Sequence, residues 1–299
     1  MANRTSFPFD GPRATAPVPL RFEDVTQDGR LVLESLPNAL GPTFWRGMIL
    51  TDGVARRFRE GGVLPIITRF VLEGTPGPFS SNAPFEAEGT YRIARSEDGR
   101  FMLDMYAELY APVGRTYERT PNEGERAVAG RVTAEHVFTR PFAAPGERRV
   151  TSLDFPGAPE VRETRPAPPA PASIATLPPG ATPLDPAPRA DPVPFPFGLV
   201  HTDGNMHVNS LAYLRLFEEA ALRRLVALGR GAAVLGRTMD IAYRRPCFAG
   251  QTVCVVQQAF EADGKLGIAA VLVDEADARD EASLARARPY TFARMTFEP

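Results

Sequence analysis

His201-Thr202-Asp203-Gly204-Asn205-Met206-His207-Val208-Asn209-Ser210 runs without a break into Leu211-Ala212-Tyr213-Leu214-Arg215-Leu216-Phe217-Glu218-Glu219-Ala220-Ala221-Leu222-Arg223-Arg224-Leu225. From Leu211 onward, apolar side chains return at intervals of three and four, at Leu214, Phe217, Ala221, Leu225 and Leu228. Arg215, Glu219 and Arg223 fall elsewhere, as in a helix with one buried stripe. The spacing predicts a helix over 209–228, with Asn209 or Ser210 as its N-cap and Gly229 and Gly231 as its stop. Beyond it, apolar alternation predicts strands over 238–245, 252–260, 267–273 and 289–297, with Asp263-Gly264 turning between the middle two. One long helix followed by a strand meander is an α+β pattern.

The same order recurs toward the N-terminus in a longer form. Leu20 and Phe22 against Leu31 and Leu33, across Asp28-Gly29, read as a hairpin. A helical pattern over 44–59 ends at Gly61-Gly62, and strands are predicted over 64–72, 83–94, 101–110 and 127–142, with Asp98-Gly99 as a turn. Between the halves, 14 of the 31 prolines lie from Pro156 to Pro196. Each fixes φ and removes a donor, so this stretch reads as extended chain rising ~3.1 Å per residue. The predicted organisation is a first domain over 1–164, a Pro/Ala-rich linker over 165–194 and a second domain over 195–299. The repeat is one of architecture, without strong residue identity.

Composition narrows the function classes. With 43% hydrophobic and 23% charged residues, the 299-residue chain is ordinary globular protein. A net charge of -2 and a pI near 6.0 provide no broad basic field for a nucleic-acid partner. Cys247 and Cys254 are too few for a disulfide framework or a zinc site, so free thiols are expected, with no metal and no organic cofactor. No signal-peptide pattern and no apolar run near ~18 residues is present, which predicts a cytoplasmic protein with no membrane partner.

Histidine is scarce: His136, His201 and His207 are the whole set, and two of them bracket Asp203 and Asn205. N-capping accounts for part of this polar run. It does not account for Asp203, Asn205 and His207 in alternation, which in extended chain would place a carboxylate, an amide and an imidazole on one side.

Asp203 through Ser210, followed by Tyr213 and Phe217-Glu218-Glu219-Ala220, resembles the helix-start motif of hotdog-fold acyl thioesterases. It is most similar to the acyl-ACP thioesterases, whose pattern is Asp-x-Asn-x-His-Val-Asn-Asn-x-x-Tyr. Downstream, Ile241-Ala242-Tyr243-Arg244-Arg245-Pro246-Cys247 and then Gly250 are similar to that family's Glu-Tyr-Arg-Arg-Glu-Cys strand and to the Tyr-x-Arg-Pro of broader hotdog proteins. The resemblance implies a tandem (double) hotdog fold, each copy a long helix wrapped by an antiparallel sheet. The first copy is degenerate, since Asn38-Ala39-Leu40-Gly41-Pro42 ahead of its helix offers neither His nor carboxylate. Hotdog domains work as side-by-side pairs, so two copies in one chain would form an internal pair, compatible with further homo-oligomerisation.

The resemblance also implies the site. Carried over residue by residue, Asp203, Asn205 and His207 are the catalytic candidates, Asn209 and Tyr213 contact substrate, and Cys247 is an auxiliary; Glu218, one or two turns into the helix, offers a substitute base. The family's Glu is replaced by Pro246, which cannot titrate. The physical chemistry still permits catalysis: Asp203 can orient or activate water or attack directly, His207 can exchange a proton near neutral pH, and donors at the helix start can polarise a carbonyl. Blander readings stand beside these. Cys247 reads equally as a small core hydrophobe, Glu218 as a structural acid, Tyr213 as packing and His201 as a turn residue.

The expected activity is hydrolysis of an acyl thioester, acyl-CoA or acyl-ACP, to free acid and thiol. A dehydratase or hydratase acting on acyl thioesters and a non-catalytic acyl-thioester-binding protein are the alternatives. Arg223, Arg224, Arg244 and Arg245 form either a basic entrance patch for a carrier protein or a solvated face.

Overall fold

A computed structural model describes residues 7–47 and 53–298. The chain divides into two compact units, Met1–Pro168 and Pro169–Pro299.

The first unit is built on β1 (Arg13–Val18), α1 (Val54–Glu60), β2 (Leu64–Gly74), β3 (Phe85–Ser96), β4 (Phe101–Pro112), β5 (Arg126–Thr139) and the two-residue β6 (Thr164–Arg165). Its sheet runs β1-β3-β4-β5-β2, antiparallel throughout, with β6 added parallel to β3. β4 alone contributes buried Met102, Leu103, Met105, Ala107 and Leu109. The predicted strands here agree with the structure to within a few residues. β1 escaped the reading because Ala14, Ala16 and Pro17 give little β signal.

Two expectations for this unit are corrected. The hairpin across Asp28-Gly29 shrinks to one bridge, Val25↔Leu31, and its far side is a 3-10 stretch, Leu33–Ala39, which buries Leu33 and Leu36. The helix expected over 44–59 is broken: a π turn covers Gly41–Trp45, α1 begins only at Val54, and residues 48–52 lie outside the described residues. Pro37 and Pro42 lack the N–H that a regular α-helix needs, so the chain takes tighter and wider turns instead. Leu36 and Phe44 still reach the sheet, where Gly130 and Gly89 leave room that a Cβ would close.

The second unit contains α2 (Pro171–Ile174), β7 (Thr182–Pro183), β8 (Arg189–Ala190), β9 (Phe195–Pro196), α3 (Ser210–Ala227), β10 (Leu235–Tyr243), β11 (Thr252–Ala262), β12 (Lys265–Asp274), α4 (Glu281–Arg286) and β13 (Thr291–Glu298). Here β10-β13-β12-β11 form an antiparallel sheet. The long helix α3 buries Leu214, Phe217, Ala221 and Leu225, four of the six positions the periodicity selected. Gln257 of β11 donates to Ala220 O at 2.9 Å, fixing the helix over the sheet. The β11–β12 turn has Asp263 and Gly264 both at positive φ, 49° and 73°, as a two-residue hairpin turn requires.

The stretch expected as a linker over 165–194 is extended, but most of it is part of the second unit. β7, β8 and β9 each add two antiparallel residues to the edge of β11. Pro183 and Pro196 sit in these rungs, as an edge tolerates. Two buried carboxylates pin the segment to α3: Asp191 pairs with Arg223 and Asp185 with Arg224. Burial alone would raise the Asp185 carboxyl, but the Arg224 guanidinium and the Ala259 N–H more than offset it and hold it below the usual range. No helix among the described residues is long and apolar enough to cross a membrane.

Candidate functional site

The start of α3 is a closed turn rather than an extended strand. Thr202 and Val208 form an isolated bridge, Asp203 N–H donates to His207 O at 3.1 Å, and Met206 N–H donates to Asp203 O at 3.0 Å. The same-side alternation expected of Asp203, Asn205 and His207 is therefore replaced by a loop that folds back on itself, because the Asp203 side chain bonds the backbone two residues on. Its Oδ1 accepts the Asn205 N–H at 2.8 Å, and its Oδ2 faces Asn209 Nδ2 at 3.4 Å. His207 Nδ1 lies 4.0 Å from Asp203 Oδ1, with the two side chains 38% and 26% exposed. The turn brings together by hydrogen bonding what the sequence places two and four residues apart.

The two histidines beside it take opposite roles. His201 Nδ1 accepts the Gly198 N–H at 2.9 Å, so its proton is on Nε2, and the ring packs against Phe195 and Phe197. His207 Nδ1 stands 3.2 Å from Val208 O, and a carbonyl can only accept, so a hydrogen bond here needs the proton on Nδ1. The third histidine, His136, is buried in the first unit against Leu103 O and Trp45, and burial lowers its pKa to about 4.

Beneath the turn, β10 and the loop after it are stitched to the first turns of α3. Asn209 caps the helix, its side chain accepting the Leu211 N–H at 2.8 Å. Tyr243 donates to Ser210 O at 3.1 Å, Cys247 N–H donates to the Tyr213 hydroxyl at 2.9 Å, and Val208 N–H donates to Cys247 O at 2.8 Å. Tyr213 is buried, and burial raises its phenol above the ordinary value. Its hydroxyl anchors the loop after β10 to the helix. Cys247 is fully buried and burial pushes its thiol up to about 11, so it is neither thiolate nor exposed. Glu218 lies about 12 Å along the helix axis from Ser210 at 1.5 Å per residue, half-buried and away from the turn. Pro246 is exposed beside Cys247. Among the described residues no three His, Cys, Asp or Glu side chains group as a metal site.

Arg223 and Arg224, two of the four arginines of the expected entrance patch, are engaged with Asp191 and Asp185. That pairing escaped the sequence reading. Its only trace there is Asp-Pro occurring twice, at Asp185-Pro186 and Asp191-Pro192, amid residues with no other charge but Arg189.

Solved structures share this fold over almost the whole chain. A protein assigned as an oleoyl thioesterase from Lactobacillus plantarum is 13% identical, with a TM-score of 0.63 over 96% of this chain and 95% of that one. An acyl-ACP thioesterase from Bacteroides thetaiotaomicron is 12% identical, with a TM-score of 0.57 over 96% and 98%. The 12:0-ACP thioesterase from Umbellularia californica is 15% identical, with a TM-score of 0.54 over 98% and 100%. The chain has the hotdog fold that these thioesterases share. No protein-family model and no curated protein matches the sequence.

Proposed function

We propose that this chain is a tandem hotdog thioester hydrolase, with one site, at the start of α3. The observation that carries the reading is the His207 imidazole, with Val208 O 3.2 Å and a carboxylate 4.0 Å from its Nδ1, at the N-terminus of the long helix of a hotdog unit. The tandem arrangement is supported by each unit having its own helical segment and antiparallel sheet, and by the cover of almost the whole chain in the thioesterase structures. The corresponding stretch of the first unit, Leu33–Ala39 and Gly41–Trp45, has no group to exchange a proton except Glu34.

In this reading His207 Nε2 takes a proton from water, whose oxygen forms the new bond to the thioester carbonyl carbon. Asp203 stabilises the imidazolium that results, a better role for it than nucleophile because both its oxygens already accept hydrogen bonds. Asn205, exposed at the tip of the turn, donates its side-chain amide to the carbonyl oxygen as charge develops there, aided by the positive end of α3. The C–S bond then breaks, and the thiolate recovers the proton from His207. Acyl-CoA and acyl-ACP are the substrate classes.

Thiol release from a panel of acyl-CoA and acyl-ACP thioesters, with wild type beside Asp203→Ala and His207→Ala, tests this. Turnover by wild type and loss in both folded variants is the expected result. Binding of acyl thioesters without thiol release would replace it with an acyl-binding role, as Pro246 in place of the family's Glu favours. Water addition to or removal from the acyl chain would replace it with a hydratase.

A further inference from the structure

Four large apolar side chains stand out on two loops of the second unit: Leu199, Val200, Met206 and Phe248 are 80%, 89%, 84% and 48% exposed. Exposed apolar clusters of this kind mark interaction surfaces, whereas single ones do not. The loops, 198–208 and 244–251, are fastened to each other by Val208 N–H to Cys247 O at 2.8 Å, Gly250 N–H to Phe197 O at 2.7 Å and Phe197 N–H to Gln251 O at 2.8 Å. Met206 is held at φ 65°, in the left-handed region that an unbranched side chain enters only at some cost. The loops therefore hold these side chains out from a rigid base.

Arginines flank them. The N–H groups of Arg244 and Arg245 both donate to Tyr290 O, and the Arg245 guanidinium lies 4.1 Å from the Tyr290 ring centroid and donates to Arg288 O. Arg244, Arg245, Arg286 and Arg288 are all exposed. Elsewhere in the unit Arg223, Arg224, Arg230 and Arg237 each face a carboxylate. Among the described residues, none of the four beside the apolar loops pairs with one.

We propose that this rim docks the protein on an anionic lipid surface. Side chains so fully exposed would need a matching hole in a rigid protein partner, whereas a bilayer yields around them. Guanidinium forks suit lipid phosphates, and these four arginines, which pair with no carboxylate among the described residues, are left to meet an anionic headgroup layer despite the chain's net charge of -2. No spanning segment is needed for such a contact, so the absence of an apolar run bears only on insertion across the membrane. The turn from Asp203 to His207 lies inside this rim, and docking would set it against the headgroups. The inference stands apart from the thioesterase reading, since its test measures no turnover.

The experiment is sedimentation of the full chain with vesicles of phosphatidylcholine alone and of phosphatidylcholine mixed with phosphatidylglycerol. Binding to the mixed vesicles only, weakened by salt, is expected. Leu199→Asp/Val200→Asp and Arg244→Glu/Arg245→Glu should each lower the bound fraction about tenfold. Phe142→Asp, at an equally exposed apolar residue of the first unit, should leave it unchanged. Melting curves check that each variant is folded. Absent binding, equal binding to both vesicle types, or equal loss with Phe142→Asp overturns the proposal. So does failure to bind vesicles when the Leu199/Val200 variant splits a dimer or loses an acyl carrier protein, which would make the rim a protein interface.

Discussion

The two units place their buried charge differently: the first carries most of it on the strands of its sheet, the second, at Asp185 and Asp191, on the segment along the edge of β11. In the first, Asp104, Glu108, Glu135 and His136 are buried within the sheet. Glu108 lies directly across from Arg131, which binds it at 2.9 Å, and also accepts from the hydroxyls of Tyr106 and Tyr110. Asp104 lies across from Glu135, a like-charge pair that would repel; Arg165 bridges the two carboxylates, while Arg92 binds Asp104 and Arg69 binds Glu135. In the second unit β11 buries Val253, Val255, Val256, Ala259 and Phe260, and the groups suited to proton transfer sit on a half-exposed turn. A carboxylate locked between arginines holds strands in register but has no proton to exchange at neutral pH. An imidazole beside a carboxylate, within reach of water, has the geometry for proton exchange.

The sharpest way to break this comparison is at Asp203. Asp203→Asn keeps an acceptor for the Asn205 N–H but removes the charge facing His207, and should lower thiol release about a hundredfold or more with little change in melting temperature. An unchanged rate would leave the second unit with no more chemistry than the first. On the other side, Glu108→Ala should cost about 3 kcal/mol in denaturant unfolding, because it strands two tyrosine hydroxyls and leaves Arg131 with Glu73 alone, at 3.4 Å. A loss near zero would mean that the buried ladder does not hold the first unit together.

His136 supplies a pH test of the same contrast. Its folded pKa is depressed from 6.5 to about 4, so the folded state binds fewer protons than the unfolded chain between those values. The stability it confers is complete above pH 6.5 and falls as the pH drops toward 4, by about 3 kcal/mol in all. His136→Leu should flatten that part of the stability profile, and an unaltered slope would assign it to other groups. The smallest effect is expected at Cys247. Cys247→Ala should keep the rate within about threefold, and the native thiol should resist labelling until the protein unfolds. Rapid labelling of the folded protein would restore Cys247 as a nucleophile candidate.

Much of this was legible in the residues. The three- and four-residue spacing from Leu211 to Leu225 marked α3 because a helix that buries one face must show that period, and Asn209 was readable as its cap. The strand patterns were readable for the same reason with period two. The first unit's helical segment was not, since Pro37 and Pro42 impose 3-10 and π turns for which apolar spacing has no distinct signature. The Pro/Ala-rich stretch was misleading because edge pairing in two-residue rungs leaves no alternation to see. At the site, the composition of the turn was evident, but its shape depends on Asp203 bonding Asn205 N–H, which opposes the extended alternation that the residue order suggests.

The sequence by itself determined α3, the long strands and the polar composition of the run from Asp203 to His207, because periodicity and capping act between near neighbours. Only the tertiary structure decided what each group is free to do. It engaged Arg223 and Arg224 with carboxylates 32 and 39 positions away, buried Tyr213 against Cys247 34 positions on, and gave His201 and His207 opposite hydrogen-bonding roles at Nδ1. Those outcomes rest on which donor meets which acceptor after the chain has folded back, and no local spacing encodes that.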